Sequence, residues 1–363
     1  MLSPQELFWL YLNNIKNIGA RRFAKLYFKY RTKEAFLEGI ERGDQELIFL
    51  SAEILTEIKN GAWKTPCDRM INYMVEHAIN AVFYSSPEYP PQLREIDAPP
   101  PILYYIGDFS FVQEPCIAII GSRRATRYGR ECAEKFSGTL AENGICVVSG
   151  MADGVDGYSH EAALACGGKT IAILGGGVDF IYPASNAALY RKIAENGLIL
   201  SEYPLATRPQ KENFPQRNRL IIGLSRCLLV VEAGMPSGTM ITVDFAVEQN
   251  KSVFAVPGNI TSPSSEGTNY LIKNGCLCAL SPEDILMEFG IYKTEEKKKF
   301  KIPENLEPLQ KQILEMLEIE DLPAEKIENS LQADINEINT ALMMLEIAGY
   351  IKQFPGREYS LCR

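Results

Sequence analysis

Short apolar runs alternate with amphipathic helical stretches through the middle of the chain, between about residues 116 and 290. The runs are almost continuously apolar, which is typical of strands that are buried on both faces of a sheet. Helical stretches such as 127–143 and 184–196 separate them. The pattern predicts an α/β fold with a Rossmann-like, doubly wound and mostly parallel sheet. The predicted strands are 117–121, 145–149, 170–174, 198–202, 227–232 and 252–256.

The chain before this region has a different pattern. Residues 1–80 carry apolar side chains at helical spacing, for example Phe8 and Leu12. Ile18–Gly19 then leads into a second periodic helix, which resembles a SAM/HhH-like (sterile-alpha-motif or helix-hairpin-helix) unit but equally fits a plain helix–helix turn. The interval 81–115, which is rich in proline, is interpreted as a linker and lead-in to the sheet.

The chain after this region divides into a tether and a small domain. A second linker is expected at 291–303, and its basic run is interpreted as a solvated tether rather than a binding patch. Residues 304–363 predict amphipathic helices followed by two short strands around Pro355–Gly356. That order predicts a winged-helix domain at the end of the chain.

Composition narrows the class of protein. A chain of 363 residues with 46% hydrophobic and 23% charged residues fits two or three globular domains. No segment is typical of a membrane span or a secretory signal, so we expect a cytoplasmic protein without membrane insertion. Nine irregularly spaced cysteines favour reduced thiols, and two histidines without a Cys-x-x-Cys pair argue against a metal site.

The net charge of −9 argues, taken alone, against a nucleic-acid partner. The charge is uneven, however, because acids outnumber bases by roughly two to one after Leu306. Basic residues cluster instead at loop positions in the middle of the chain, so a local basic groove on an acidic protein is possible. The clustered residues are Arg123, Arg124, Arg127, Lys211, Arg217 and Arg219.

The loop after the first predicted strand of this region contains Gly121, Ser122, Arg123 and Arg124. Ligands of doubly wound sheets bind at the carboxyl ends of the strands, and small residues before a helix let backbone N–H groups converge on an anion. The loop lacks the dinucleotide fingerprint, and no acidic residue ends the next strand, so phosphate is favoured over a nicotinamide cofactor. The alternative is a turn whose arginines face solvent.

The loop after the second strand begins with Gly150, which suits a tight turn beside phosphate. Asp153 and Asp156 would repel phosphate unless they face inward, and Asp156 is interpreted as an N-cap of the next helix. His160, one turn further on, is interpreted as structural rather than catalytic. We expect no catalytic residue here.

Two further loops add small residues. Gly175 and Gly176 follow the third strand and bring the backbone close to a ligand or to another loop. Ser237, Gly238 and Thr239 precede a helix and offer backbone and hydroxyl donors.

The segment around Pro215 mixes cations, amides and a flat ring, in Lys211, Asn213, Phe214, Arg217 and Asn218. Cations that neutralise phosphates, interleaved with an aromatic ring that stacks on a base, are typical of single-strand recognition. The alternative is that Phe214 is a hydrophobic staple in the core.

These motifs stand in the same order as in the DNA processing protein A (DprA/Smf) family, which the chain resembles from about residue 80 to 290. The motifs that carry the resemblance are 121–126, 148–156, 213–221, 237–239 and 254–258. One position departs from the family pattern, because Asp153 stands where the family usually carries arginine. That departure puts a phosphate contact at this position in doubt.

The resemblance implies a bacterial protein that binds and protects incoming single-stranded DNA during natural transformation and loads the RecA recombinase. It also implies a homodimer without a cofactor. By the same resemblance, Gly121, Ser122 and Arg123 grip phosphates, Lys211 clamps a phosphate, and Phe214 stacks on a base.

Two other functions are weighed against this one. A nucleotide phosphoribohydrolase of the lysine-decarboxylase-like type shares such a sheet, but its glycine loop is closely followed by glutamates, whereas here the first carboxylate after Thr239 is Asp244. Release of free base from nucleoside monophosphates would favour that enzyme. A regulator that reads DNA through its winged helix is disfavoured by the acidic tail, which we expect to contact protein instead.

Overall fold

A computed structural model describes residues 2–15, 18–292, 303, 306–331, 333–354 and 356–361. The chain forms two compact units, Met1–Ile291 and Tyr292–Arg363. Most of the second linker expected at 291–303 lies outside the described residues, as do Pro355 of the predicted wing and Cys362.

The amino-terminal part is helical, as its apolar spacing predicts. Ser3 and Glu6 form a capping box at the start of the first helix, and Gly43 ends the third in the left-handed conformation (φ 72°). The aromatic side chains pack edge to face around Trp9, with ring centroids 5.1 Å apart for the Trp9–Tyr27 pair. The helices are α1 (Pro4–Asn13), α2 (Ala20–Tyr30), α3 (Lys33–Arg42), α4 (Ala52–Asn60) and α5 (Lys64–Glu76).

Nine strands form the sheet of the first unit, in the order β1-β2-β6-β5-β4-β3-β7-β8-β9. The strands from β6 through to β9 in this order are all parallel, as predicted. The strands are β1 (Asn80–Phe83), β2 (Ile102–Gly107), β3 (Cys116–Ile120), β4 (Cys146–Ser149), β5 (Thr170–Ile173), β6 (Leu198–Ser201), β7 (Cys227–Val230), β8 (Ser252–Ala255) and β9 (Leu277–Cys278).

Helices cover the two faces of this sheet, which explains the continuously apolar strands. Along β3, Ile117 and Ile119 pack into one core with Phe136, while Ala118 and Ile120 face the opposite core. Among the described helices, none is both long and apolar enough to cross a bilayer. The helices of this part are α6 (Pro91–Arg94), α7 (Arg127–Glu142), α8 (Val155–Ala165), α9 (Ala187–Asn196), α10 (Asn213–Leu224), α11 (Gly238–Glu248), α12 (Glu266–Lys273) and α13 (Pro282–Glu288).

The interval 81–115, expected to be a linker, contributes two strands instead. β1 and β2 pair antiparallel, and β2 pairs antiparallel with β6 at the edge of the sheet. The sequence pattern did not indicate these strands, because β1 has only four residues and prolines immediately precede β2. The amino-terminal helices share a hydrophobic core with β1 and β2, and Asn13 donates a hydrogen bond to the buried hydroxyl of Tyr104 (3.0 Å). The helical part and the sheet are therefore one packed unit.

The second unit is a winged helix, in agreement with the sequence. Its three-stranded antiparallel sheet has the order β10-β12-β11, and its core includes Ile313, Ile338 and Tyr359. The elements are α14 (Pro308–Ile319), β10 (Leu322–Pro323), α15 (Ala324–Ser330), α16 (Ile335–Ile347), β11 (Ile351–Phe354) and β12 (Glu358–Leu361).

His160 lies inside the first unit, as its structural interpretation requires. The imidazole is completely buried on α8, and its Nδ1 lies 2.6 Å from Oγ1 of Thr170. Burial, helped by the positive charge of Arg217, lowers the pKa of His160 from 6.5 to about 3. The folded protein therefore holds this ring neutral.

We predict that this histidine makes the protein sensitive to acid. Between about pH 6.5 and 3 the unfolded chain binds a proton at His160 that the folded protein does not, so the free energy of unfolding falls as pH falls through this window. The His160→Gln variant should lose this component. Its urea-unfolding free energy should fall less steeply than that of the wild type below about pH 6, by up to about 1.4 kcal/mol per pH unit.

The matched control for this prediction is His77→Gln, which replaces the exposed histidine just after α5 and leaves the buried imidazole of His160 in place. Buried carboxyl groups are the same in all three proteins, so the difference between profiles isolates the imidazole. Parallel profiles for wild type and His160→Gln would contradict the prediction.

Candidate nucleic-acid interface

The connections of the sheet change direction between β3 and β7. The chain leaves β3 through α7 toward β4 on one side, and β7 continues through α11 toward β8 on the other. Connections that diverge in this way open a crevice beyond the carboxyl ends of the two strands. The loops singled out in the sequence converge on this crevice.

A groove of about 810 Å³ occupies the crevice, and a smaller recess adjoins it. Arg123 and Phe214 line both, so the groove and the recess form one continuous surface. The predicted residues in the groove are Gly121, Ser122, Arg123, Lys211, Phe214, Arg217, Asn218, Ser237, Gly238 and Thr239. Those in the recess, besides Arg123 and Phe214, are Gly150, Gly175 and Gly176.

The ring of Phe214 is half-buried at the wall between groove and recess. It is therefore not the core staple considered as an alternative. The guanidinium carbon of Arg123 lies 5.2 Å from its centroid, and the ring of Tyr182 lies 5.7 Å away at 35°. A side chain at Gly175 would clash with this ring, since a Cβ there would lie 2.9 Å from it. The glycine loop thus makes room for the phenylalanine.

Two cations of the groove face solvent. Arg123 and Lys211 are exposed, and Lys211 has no hydrogen bond or ion pair with any other residue that the structure describes. Cations without a carboxylate partner on their own chain can neutralise the phosphates of a ligand at little cost.

The loop at Gly121 differs from the expected anion cradle. The N–H of Ser122 donates to the carbonyl of Glu232 (2.7 Å), and the N–H of Thr126 donates to the Glu232 carboxylate (2.8 Å). The hydroxyl of Ser122 accepts from the N–H of Arg124 (3.1 Å). A buried carboxylate of the chain itself therefore occupies the start of α7, where negative charge is favoured. The N–H groups of Ser122, Arg124 and Thr126 are therefore engaged within the chain, whereas the Arg123 side chain faces solvent.

Arg217, expected to be an open cation, is buried. Its guanidinium donates to the carbonyls of Gly150 (2.8 Å) and Ile173, which end β4 and β5. Burial lowers the pKa of Arg217 to about 10, opposed by the charge of Asp156. A Cβ at Gly150 would lie 2.3 Å from this guanidinium, so glycine is required there for packing.

Asp156 is not the N-cap that the sequence suggested. Gly154 stands at the N-cap position of α8, and the Asp156 carboxylate turns back to accept from the N–H groups of Gly150 (3.1 Å) and Ala152 (3.4 Å). Burial raises its pKa, and the charge of Arg217 opposes this rise. This inward carboxylate does not present a charge to the groove surface.

The remaining predicted residues have mainly structural contacts. Ser237 caps α11 by accepting from the N–H of Thr239 (3.1 Å), and Gly238 beside them has open space around it. Asn218 donates to Oγ1 of Thr242 (2.7 Å). Gly176 packs closely against Thr207 and Pro209 of another loop.

Two predicted residues, Arg124 and Asn213, line neither the groove nor the recess. Asn213 donates to the carbonyl of Gly175 (2.9 Å) and faces a separate cavity beside α2. Arg124 is exposed at the turn into α7.

Sequence reasoning missed two side chains: Tyr182, which lines both the groove and the recess, and the buried Glu232, which holds the Gly121 loop. Tyr182 follows the triple-glycine loop, and an aromatic at the carboxyl end of a buried strand is a signal that could have identified it. Asp153 lines the recess, is exposed, and accepts a hydrogen bond from Ser185 (2.6 Å). The contact between Glu232 and the Gly121 loop joins residues far apart in the chain and left no local signal.

Two carboxylates belong to this surface. The groove and recess contain Asp153 and Asp156, and the first turn of α11 carries no acidic residue. Within the described parts of the chain, no three histidine, cysteine or carboxylate side chains are grouped to hold a metal ion.

Comparison with known proteins agrees with this architecture. Residues 80–290 match the family model described as DNA recombination-mediator protein A, and residues 298–357 match the DprA winged helix domain. The chain is similar to protein Smf of Synechocystis sp., with 33% identity and 99% of each chain covered. It is also similar to protein Smf of Escherichia coli, with 38% identity over 74% of each chain.

Solved structures give the same result. DNA processing protein A of Streptococcus pneumoniae superimposes with a TM-score of 0.61 and 32% identity, over 79% of this chain and 98% of that one. A structure of DNA processing protein A from Helicobacter pylori, reported for its single-stranded DNA binding mode, has a TM-score of 0.54 and 34% identity, over 58% and 95%. The chain belongs to the DNA processing protein A (DprA/Smf) family.

Proposed function

We propose that the groove and recess bind single-stranded DNA, with phosphates at Arg123 and Lys211 and a base against Phe214. The observation that carries this proposal is the meeting of Arg123, Lys211 and Phe214 on one surface at the switch point of the sheet. A flat ring between cations matches the alternation of base and phosphate along a strand.

A single strand fits this surface better than a duplex. The Phe214 ring is half-buried in a wall, so a base can reach its face only if that base is unpaired and turned out of a helix. Arg123 and Lys211 supply sequence-independent contacts, which suits a protein that binds DNA without reading its sequence. The binding mode named for the Helicobacter pylori relative supports the same choice of ligand.

The wider role follows from membership of the family. We propose that the chain protects incoming single-stranded DNA during natural transformation and loads the RecA recombinase onto it in the cytoplasm. The engagement of the Asp156 carboxylate by backbone N–H groups supports a role in binding, since this group is not positioned for acid–base chemistry on a ligand.

A homodimer is part of this proposal, and the outer edge of β9 is the surface we propose for it. β9 pairs with β8 on one side, and Tyr270, Leu277 and Leu280 beside it expose apolar surface. A second copy packed on this edge would bury these side chains.

The dimer is tested by light scattering on the Leu280→Asp variant, which should have the mass of a monomer because the change places a charge in the apolar contact. Val75→Asp, which changes an exposed valine on α5, is the matched control and should remain a dimer. A Leu280→Asp protein with the dimer mass would refute this surface.

The DNA site makes a prediction that separates charge from stacking. In titrations of a fluorescent single-stranded oligonucleotide at several salt concentrations, Arg123→Ala and Lys211→Ala should each reduce the slope of log affinity against log salt by about 0.7. Phe214→Ala should cost about 1–3 kcal/mol of binding free energy and leave the slope unchanged, because stacking releases no counterion. The rate at which RecA nucleates on a single strand bound by each variant should decline in parallel with that variant's affinity for the strand.

Arg127→Ala is the matched control for these variants. Arg127 is an exposed arginine of α7 that pairs with Glu131 (2.7 Å) and lies outside the groove. The Arg127→Ala variant should bind single-stranded DNA as the wild type does. Wild-type affinity for Arg123→Ala, Lys211→Ala and Phe214→Ala alike would remove the basis of the proposed function.

A second prediction concerns Asp153, whose substitution should raise the affinity for single-stranded DNA rather than lower it. Its carboxylate faces the recess beside Arg123 and repels phosphate there. Asp153→Asn keeps an oxygen that can accept from Ser185 but removes the charge, so affinity for single-stranded DNA should rise about two- to fivefold at low salt and less at high salt. Equilibrium titration measures this.

The control is Asp68→Asn on α5, which makes the same change in net charge away from the groove. If the two variants change affinity equally, then only net charge matters and Asp153 has no local effect.

A further inference from the structure

Helix α16 of the winged-helix unit has two faces of different character. Its inner face packs Ile338, Leu342 and Leu345 into the core of the unit. Its outer face exposes Met343 (63%), Met344 (55%) and Ile347 (70%). Met343 and Met344 precede Ile347 by four and three positions, so both are neighbours of Ile347 on the helix surface and the three form one apolar patch. We name these three residues the α16 patch.

The α16 patch lacks what a DNA-binding helix needs. In helix-turn-helix modules the corresponding helix enters the major groove, where lysine and arginine contact phosphates and bases. The sequence of α16 contains no lysine or arginine. Its outward amide and hydroxyl are also engaged, since Asn339 donates to the carbonyl of Ile335 (2.9 Å) and Thr340 to that of Asn336 (2.7 Å).

Three basic side chains among the described residues of this unit are engaged as well. Arg357 pairs with Glu328 (3.3 Å) and with Asn339 (2.5 Å), and Lys326 pairs with Glu320 (2.6 Å). The ammonium of Lys352 lies 5.3 Å from the ring centroid of Phe354. A phosphate backbone would have to displace these contacts.

The charge of the unit points to the complementary partner. Residues 306–361 contain eleven acidic and four basic residues, and two of the acidic residues, Glu337 and Glu346, lie on α16 itself. An exposed apolar patch in strongly negative surroundings fits a ligand with an apolar face and positive charges beside it. It would repel nucleic acid and anionic lipid.

We propose that the α16 patch is a docking site for a basic amphipathic helix of a partner protein. The apolar face of that helix covers Met343, Met344 and Ile347, and its lysines or arginines meet the carboxylates around them. Methionine is suited to this contact because its flexible side chain adapts to helices of different shape. The winged helix then serves as a protein-binding module, and the DNA site belongs to the other unit.

The test uses the full chain and two short synthetic helical peptides that share a leucine face. One peptide carries lysines on its polar face and the other carries glutamates. Fluorescence anisotropy should show that the lysine peptide binds at least about tenfold more tightly than the glutamate peptide, because like charges oppose the second. Methyl NMR signals of Met343 and Met344 should shift with the lysine peptide.

Two variants locate the contact. The double variant Met343→Lys, Ile347→Lys should bind the lysine peptide about tenfold or more weakly than the wild type does. Both positions are exposed, so the core is left intact. Val247→Lys, which changes an exposed valine on α11, is the matched control and should bind normally. The proposal is overturned if the lysine peptide does not bind, if the two peptides bind equally, if the double variant binds normally, or if duplex DNA shifts the Met343 and Met344 signals.

Discussion

The candidate DNA site depends on one buried cation, Arg217. From α10 its guanidinium reaches the ends of β4 and β5 and donates to the carbonyls of Gly150 and Ile173. Phe214 lies one turn earlier on the same helix, so these bonds fix the distance between the aromatic ring and the glycine loops that receive it. Asp156 offsets the buried charge and holds the backbone of the Gly150 loop. Arg217 thus has a structural role, and the exposed Arg123 and Lys211 are the cations that face a ligand.

The uneven distribution of charge along the chain explains how an acidic protein can have a basic groove. Most of the negative charge excess lies in residues 306–361, where eleven acidic residues stand against four basic ones. Arg123 and Lys211 face solvent in the groove, the Asp156 carboxylate turns inward, and the exposed carboxylate of Asp153 lines the recess. Over distances beyond about 10 Å salt screens the rest of the molecule, so the local arrangement decides what binds.

The sequence predicted the parallel strands and the convergence of their loops, because burial on both faces leaves a continuous apolar signal and topology fixes where the strands end. It did not predict β1, a four-residue edge strand, or β2, which directly follows a run of prolines. It also treated Arg217 and the Gly121 loop as open to a ligand. A sequence indicates what a side chain can bind, but not which groups are already engaged within the chain. Here the Arg217 guanidinium is bound to the carbonyl of Ile173, and the Gly121 loop is bound to Glu232, both distant in the sequence.

The most direct measurement of the central claim is photochemical crosslinking of a halogenated single-stranded oligonucleotide to the full chain, with the attachment sites mapped by mass spectrometry. The account predicts attachment at Phe214 or Tyr182, whose rings face the groove and recess. Attachment confined to residues 306–361, with the groove unlabelled, would contradict it.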